Sequence, residues 1–378
     1  MKKLKIISLV FILCVMFCGC RNSNLSISNR DIVQGVGIDT ENGKTKVTVQ
    51  ALDLIRENSG ADSLSGNLTY IITGYGYDIT SAVSSASKRA SKDMLLGQNK
   101  IVVLSKETAK EDLKKNIDYL LRAVDSRGDV LIALAEKDAS DIIKCTQNDA
   151  LVPAESISKS IYSANEKGYT CKVSVKDLVN AYSNETDDIF LPVLSSSTEK
   201  EKSVCEINGI AIFLKDKAVK VLNDEETRGM MFLKNKLKDG DLSFYNEDFG
   251  NVSLELIESS PKQKVFVKDG KVFVEFTVKG KYFVNEVEKG LVTDVTDKVI
   301  EKLQKVTNEK IETLCKMALN ATYKNGCDVF QTGRKLSFSD RKIYDTHKDN
   351  WNEFVKSIDF SVKSDCEVIM INDNSIKE

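Results

Sequence analysis

The stretch KIVVLSKETAKEDLKKNIDYLLRAVDSRGDVLIALAEKDASDIIKC, Lys100 to Cys145, decides the fold class. Ile101 to Leu104 and Val130 to Ala135 are short apolar runs, the pattern of strands covered on both faces. Between them Leu113, Ile117, Leu120, Leu121 and Val124 recur at three- and four-residue spacing with charges opposite, which predicts a helix over 107–124. A shorter helix is predicted over 138–145. Strands alternating with helices from residue 68 to 145 argue for mixed α/β layer packing.

Towards the N-terminus, Ile32 to Asp39 and Thr45 to Leu54 read as strands joined by a turn at Asn42-Gly43. A polar loop over 57–67, a strand over 68–74 and a helix over 78–94 follow. Towards the C-terminus, Pro153 opens a helix to about Lys167, where its missing N–H costs little. Ser174 caps another through Leu178 and Tyr182, and Phe190 to Leu194 is extended. Ser195 to Lys202 reads as a Ser/Glu/Lys linker. Beyond it come a hairpin over 204–222, a helix over 224–237 and a polar loop over 239–250. A second hairpin turns at Asp269-Gly270, with Pro261 in the connection before it. The longest helix is predicted over 294–323, ended by Asn325-Gly326. A short helix over 349–356 and a final alternating strand over 358–371 complete the chain.

The chain has 378 residues, 54 basic against 56 acidic, nine Cys, three Pro and one His. At ~150 residues per domain, two or three domains are expected. Balanced charge argues against a nucleic-acid partner. One His, His347, excludes a multi-His metal site, and any Ser-His-Asp or Cys-His site would have to use it. It lies in an Asp/Lys-rich run and reads as an exposed residue before a helix. The carboxylate pairs Asp187-Asp188 and Glu225-Glu226 read as solvated faces and helix starts. Gly35-Val36-Gly37 and Gly74-Tyr75-Gly76 lack the rest of any phosphate-binding loop and read as bulge or turn glycines. Tyr70, Tyr75 and Tyr77 read as a strand face packing on neighbours, with a ligand surface as the alternative. No catalytic residue, metal site or cofactor is expected.

Lys2, Lys3 and Lys5 precede an apolar run, Ile6 to Phe17, too short to span ~30 Å of hydrocarbon but suited to a signal peptide. Phe17-Cys18-Gly19-Cys20 resembles a bacterial lipobox, with Cys20 as the lipidated mature N-terminus. The alternative is an ordinary cleaved secretory signal. A diacylglyceryl group supplies the two acyl chains that stable anchoring needs. Six further Cys, at 145, 171, 205, 315, 327 and 366, have no C-x-x-C spacing. They read as buried thiols, although an exported context permits disulfides.

The assembled pattern resembles the Ger(x)C family, the C-subunit lipoproteins of bacterial spore germinant receptors. The carriers are Gly19-Cys20, Arg30 to Val33 leading into Gly35 to Asp39, Lys100 to Ser105, Leu120 to Arg122, Phe190 to Leu194 and Asn208 to Phe213. The C-terminal part adds Asp328-Val329-Phe330, Gly333, Trp351 and the last strand. Arg21 stands where the family often has Trp, and Gln98-Asn99 where it often has Gly-His. The resemblance implies an anchored protein on the outer face of the spore inner membrane, acting with an A subunit and a polytopic B subunit on nutrient germinants. It implies no catalytic residues. A membrane-anchored solute-binding lipoprotein is the alternative reading, and an exported hydrolase the remotest.

The expected fold is α+β, a three-domain mixed α/β protein with antiparallel and mixed sheets packed by helices. Residues 1–19 form the signal peptide, 20–29 a lipid-anchored tether and 30–197 an N-terminal α/β domain. Residues 198–250 form a small middle α+β domain. Residues 251–378 form a C-terminal domain with hairpins, the long helix and the final strand.

Overall fold

The structure is a computed structural model and describes residues 30–53, 68–90, 92–111, 127–147, 150–199, 202–289 and 297–369, with Leu113, Lys114, Asn116 and Tyr119. Cys20, the signal peptide and the tether lie outside these residues.

Strands β1 (Arg30–Glu41), β2 (Lys44–Leu52) and β3 (Thr69–Gly76) form an antiparallel meander. Helix α1 (Ile79–Ser87) follows, its start fixed by a capping box between Asp78 and Ser81. It is shorter than the 78–94 expected: the helix ends at Ser87, and β4 (Asp93–Leu95) runs parallel to the start of β1. The Asp31 carboxylate accepts the Lys92 N–H there.

The stretch that sets the fold class contains β5 (Ile101–Leu104), α2 (Lys106–Glu111), β6 (Leu131–Ala135) and α3 (Ala139–Lys144). Most of the helix predicted beyond α2 lies outside the described residues. Helices α4 (Pro153–Glu166) and α5 (Val175–Tyr182) follow, the latter capped by Ser174 as expected. Then come β7 (Phe190–Glu199), β8 (Lys202–Leu214) and β9 (Lys217–Leu222).

These strands make one mixed sheet in the order β3-β2-β1-β5-β6-β7-β8-β9, with β4 beside β1. The β1-β5-β6-β7 centre is parallel and both flanks are antiparallel. Alternate residues of β5 face opposite layers. Val102 and Leu104 belong to the core cluster that also holds Ile79, Ala82 and Ala86 of α1, whereas Ile101 and Val103 belong to the one formed with α3 and α4. Two buried polar residues fix that second layer. Asp39 accepts the Ala139 and Ser140 N–H groups at the start of α3, at 2.6 and 3.0 Å. Gln50 donates to Ile143 O and accepts from Ala154 N, each at 2.9 Å, so it joins the end of α3 to the start of α4.

Ser195 to Lys202, expected as a linker, is paired strand wherever it is described: Ser195 faces Glu206 and Glu199 faces Lys202. The 198 boundary thus falls inside a hairpin, and the sheet continues to Leu222. The Ser and Glu residues that suggested a linker are exposed or half-buried positions at that hairpin's distal end.

Helix α6 (Asp224–Leu233) leads into a second sheet of β10 (Asp241–Asn246), β11 (Gly250–Lys268), β12 (Lys271–Val287) and, after the helices, β13 (Asp359–Ile369). The 239–250 segment was expected to be a loop. It contains β10, whose Leu242 is buried between exposed Asp241 and Ser243. Pro261 lies within β11 rather than before it. It faces Val278 of β12 at a point beyond the reach of β10, so its absent N–H breaks no ladder bond on the outer side. β12 and β13 are parallel.

Helix α7 (Asp297–Tyr323) covers the second sheet and crosses α6 at Gly229. Helices α8 (Thr332–Ser339), α9 (Arg341–His347) and α10 (Trp351–Phe354) close the end of this layer. The fold is α+β, with two mixed sheets packed by helices.

Candidate functional site

Asp187 and Asp188, read from sequence as solvated, lie where the first sheet meets the C-terminal helices. Asp188 lies two residues before β7 and is buried. Its carboxylate accepts from Asp328 N at 2.7 Å, from Lys215 N at 3.3 Å and from Asn352 Nδ2 at 3.3 Å. Its own N–H donates to Asp328 O at 3.3 Å. One side chain thus ties β7, the β8–β9 turn, the end of α7 and α10 together.

Asp328 is fully buried and organises the next loop. It accepts from Thr332 N at 2.9 Å, Gly333 N at 2.7 Å and Trp351 Nε1 at 3.0 Å. Gly333 admits no side chain, since a Cβ there would fall 2.6 Å from Thr186 Oγ1 and 2.8 Å from the Trp351 ring. Asp328, Gly333 and Trp351 are therefore one hydrogen-bonded unit. Tyr323 adds a 2.7 Å contact to the Thr332 hydroxyl.

Asp187 lies beside them with a poorer environment. Gln331 donates to its Oδ2 at 3.0 Å, and its Oδ1 is buried without a hydrogen-bond partner. Burial, and then the neighbouring Asp328 charge, push the Asp187 carboxyl up to about 6. Burial also pushes Asp188 up to about 6, against the pull of its donors. Lys234, just past α6, donates to Val329 O at 2.7 Å and lies 4.5 Å from the Phe190 ring centroid. Burial and then Lys236 push its ammonium down to about 8.

These groups line a cleft of about 700 Å³ between α5, the end of α6 and the loop after α7. Lys172, Lys234, Lys236 and Arg334 supply cations, and Asp177, Asp187 and Asp188 supply acids. Local sequence pattern did not point here, because the partners are as much as 164 residues apart. The usable signal was Asp328, Gly333 and Trp351 recurring as family-like positions.

The other sequence candidates are dispersed. His347 ends α9 and stacks on Phe354 with centroids 3.8 Å apart, so it is a packed ring rather than one exposed before a helix. Glu226 closes the capping box of α6 with Asn223 and meets Lys220 at 2.5 Å, while Glu225 meets Lys310 at 2.6 Å, as residues of a helix start do. Tyr75 and Tyr77 are exposed, whereas Tyr70 packs on the core. Gly74 and Gly76 are neither bulge nor turn residues: a Cβ on either would meet the backbone of α1 at 2.2–2.3 Å. Gly35 does lie at a register shift in β1. Cys145, Cys171, Cys205, Cys315, Cys327 and Cys366 are free thiols, five of them buried. Among the described residues no cluster of His, Cys, Asp and Glu could hold a metal ion.

Residues 23–196 match the model of the spore germination protein N-terminal domain, and residues 208–371 that of the spore germination B3/GerAC-like C-terminal region. The chain belongs to the Ger(x)C family. Spore germination protein KC of Bacillus subtilis is 22% identical over 380 residues, 93% of this chain and 91% of that protein. Spore germination protein GerQC of Bacillus cereus is 23% identical over 363 residues, 95% and 97% of the two chains. The crystal structure of the GerBC protein superposes with a TM-score of 0.57 at 16% identity, over 89% of this chain and 97% of that one. That likeness is one of fold. The sequence resemblance and the α+β expectation agree with these matches.

Proposed function

We propose that this Ger(x)C chain is the lipoprotein C subunit of a nutrient germinant receptor. In this reading it sits on the outer face of the spore inner membrane and is anchored through a diacylglyceryl group on Cys20. It acts with the A and B membrane subunits in assembly or signal coupling, and performs no catalysis. The observation that carries the reading is the tandem match of both family regions, which together account for most of the chain. Among the described residues no helix is long and apolar enough to cross a membrane. The reading places attachment at Cys20, where a diacylglyceryl group would supply two acyl chains. A small-molecule germinant would be a ligand of the complex.

Co-purification from detergent-solubilised spore membrane tests the assignment: a polytopic partner should be recovered with the chain. Recovery of the chain alone would count against it. In parallel, Cys20→Ala should move the protein from the membrane to the soluble fraction, and retention there would refute the anchor. The cleft beside Asp187 favours a second reading, a membrane-anchored solute-binding lipoprotein. That reading requires full nutrient response in strains lacking the other subunits.

A further inference from the structure

We propose that the cleft between α5, the end of α6 and the loop after α7 binds a small organic anion carrying carboxylates, through Lys172, Lys234, Lys236 and Arg334. The inference goes beyond the receptor assignment and does not depend on it.

The volume, about 700 Å³, is that of a small-molecule site. What decides its chemistry is which groups in the wall are already satisfied. The acids are largely occupied. Asp177 accepts the Ser174 N–H and hydroxyl at 2.8 and 2.7 Å. Asp188 accepts three donors from its own scaffold. Asp187 accepts from Gln331 through one oxygen, and the other is buried without a hydrogen-bond partner. The cations are not occupied in this way. Lys234 makes one hydrogen bond, leaving two ammonium hydrogens. Lys172 lies 4.5 Å from the Tyr162 ring centroid, a contact that leaves its donors free for oxygen. Lys236 and Arg334 are exposed and make no ion pair among the described residues. The cleft therefore presents donors and positive charge to whatever enters, from three separate segments of the chain.

An anion also answers an existing cost. Lys234 is held in a setting that weakens its charge, with Lys236 adding like-charge repulsion. A carboxylate between them would offset both. The open groove on the second sheet offers no such vacancy, because Lys279 and Lys281 already pair with Asp365 and Glu367 at 3.2 and 3.4 Å. The cavity of the first core is lined by Val36, Ile79, Val102 and Tyr119 and is apolar.

Titration calorimetry of the full chain with acetate, succinate, citrate and inorganic phosphate, at constant ionic strength set by NaCl, tests the proposal. Saturable binding of at least one carboxylate is expected. Lys236→Gln and Arg334→Gln, both at exposed positions, should each weaken it by about tenfold, the worth of one charge-assisted hydrogen bond. Their far-ultraviolet circular dichroism should match the parent. Absence of saturable carboxylate binding would overturn the proposal, as would affinities untouched by both substitutions. Phosphate binding alone would overturn the carboxylate class.

Discussion

Asp188 and Asp328 hold each other by two hydrogen bonds from main-chain N–H groups: the Asp328 N–H donates to the Asp188 carboxylate at 2.7 Å, and the Asp188 N–H donates to the Asp328 carbonyl at 3.3 Å. Two acids sit together because each is saturated with donors rather than because their charges are paired. Removing either carboxylate strands those donors.

Asp328→Ala is the sharpest case. It leaves Thr332 N, Gly333 N and Trp351 Nε1 without their acceptor in a buried site, and each stranded donor costs about 1–3 kcal/mol. Trp351 is the chain's single Trp, so its emission reports this site alone. Urea unfolding followed by that emission should show a loss on the order of 3 kcal/mol, with a red shift in the native baseline. An unchanged midpoint would contradict the role given to Asp328.

The carboxyls of Asp187 and Asp188 are raised from 3.8 to about 6. Between those values the folded chain holds protons that the unfolded chain has released. The stability these two groups contribute therefore falls as pH rises from about 4 to 6, and levels off above. Asp187→Asn keeps an acceptor for Gln331 and removes the charge. It should stabilise the protein at pH 7 and flatten the slope below 6, measured as melting temperature against pH. A slope as steep as the parent's would show that Asp187 is not one of its sources.

Gly229 lies where α6 crosses α7, and a Cβ there would fall 2.0 Å from the Leu314 carbonyl oxygen. Backbone cannot swing aside as a side-chain tip can. Gly229→Ala should cost about 1–3 kcal/mol through overpacking despite alanine's better helix propensity. Thermal unfolding by circular dichroism measures it. Gly43→Ala is a different case, meeting no neighbouring atom but carrying a φ of +70°.

Burial pushes the thiol of Cys145 up to about 11, and those of the other five cysteines among the described residues in the same direction. A buried, protonated thiol is a poor nucleophile. These cysteines should react slowly with a colorimetric disulfide reagent in the folded protein and promptly in guanidinium. Cys205, the one that is not fully buried, should lead.

Local signals were legible in the sequence wherever one residue's chemistry sufficed. Pro153 opens α4, Ser174 caps α5, and Asp269-Gly270 turns β11 into β12 with positive φ at both residues. Failures came where the deciding partner was remote. β10 is short and lies in a polar stretch, and is a strand because β11 lies beside it. Helices α8 and α9 carry no apolar stripe; Asp328 and Asp340 anchor their first turns. Asp187 and Asp188 looked like solvated acids because nothing nearby in the chain announces Asp328. The cleft was hidden for the same reason: its four cations come from segments that meet only in the folded chain.

The hairpin of β7 and β8 bears on how the protein divides. One family region ends at residue 196 and the other begins at 208, yet the ladder from Phe190 to Glu199 against Lys202 to Leu214 runs across that junction. Separate halves cut there would each expose one strand of a matched pair, and an open edge seeks a partner. Such halves are suited to fragment complementation: expressed together, they would re-form the ladder and with it the clasp between Asp188 and Asp328.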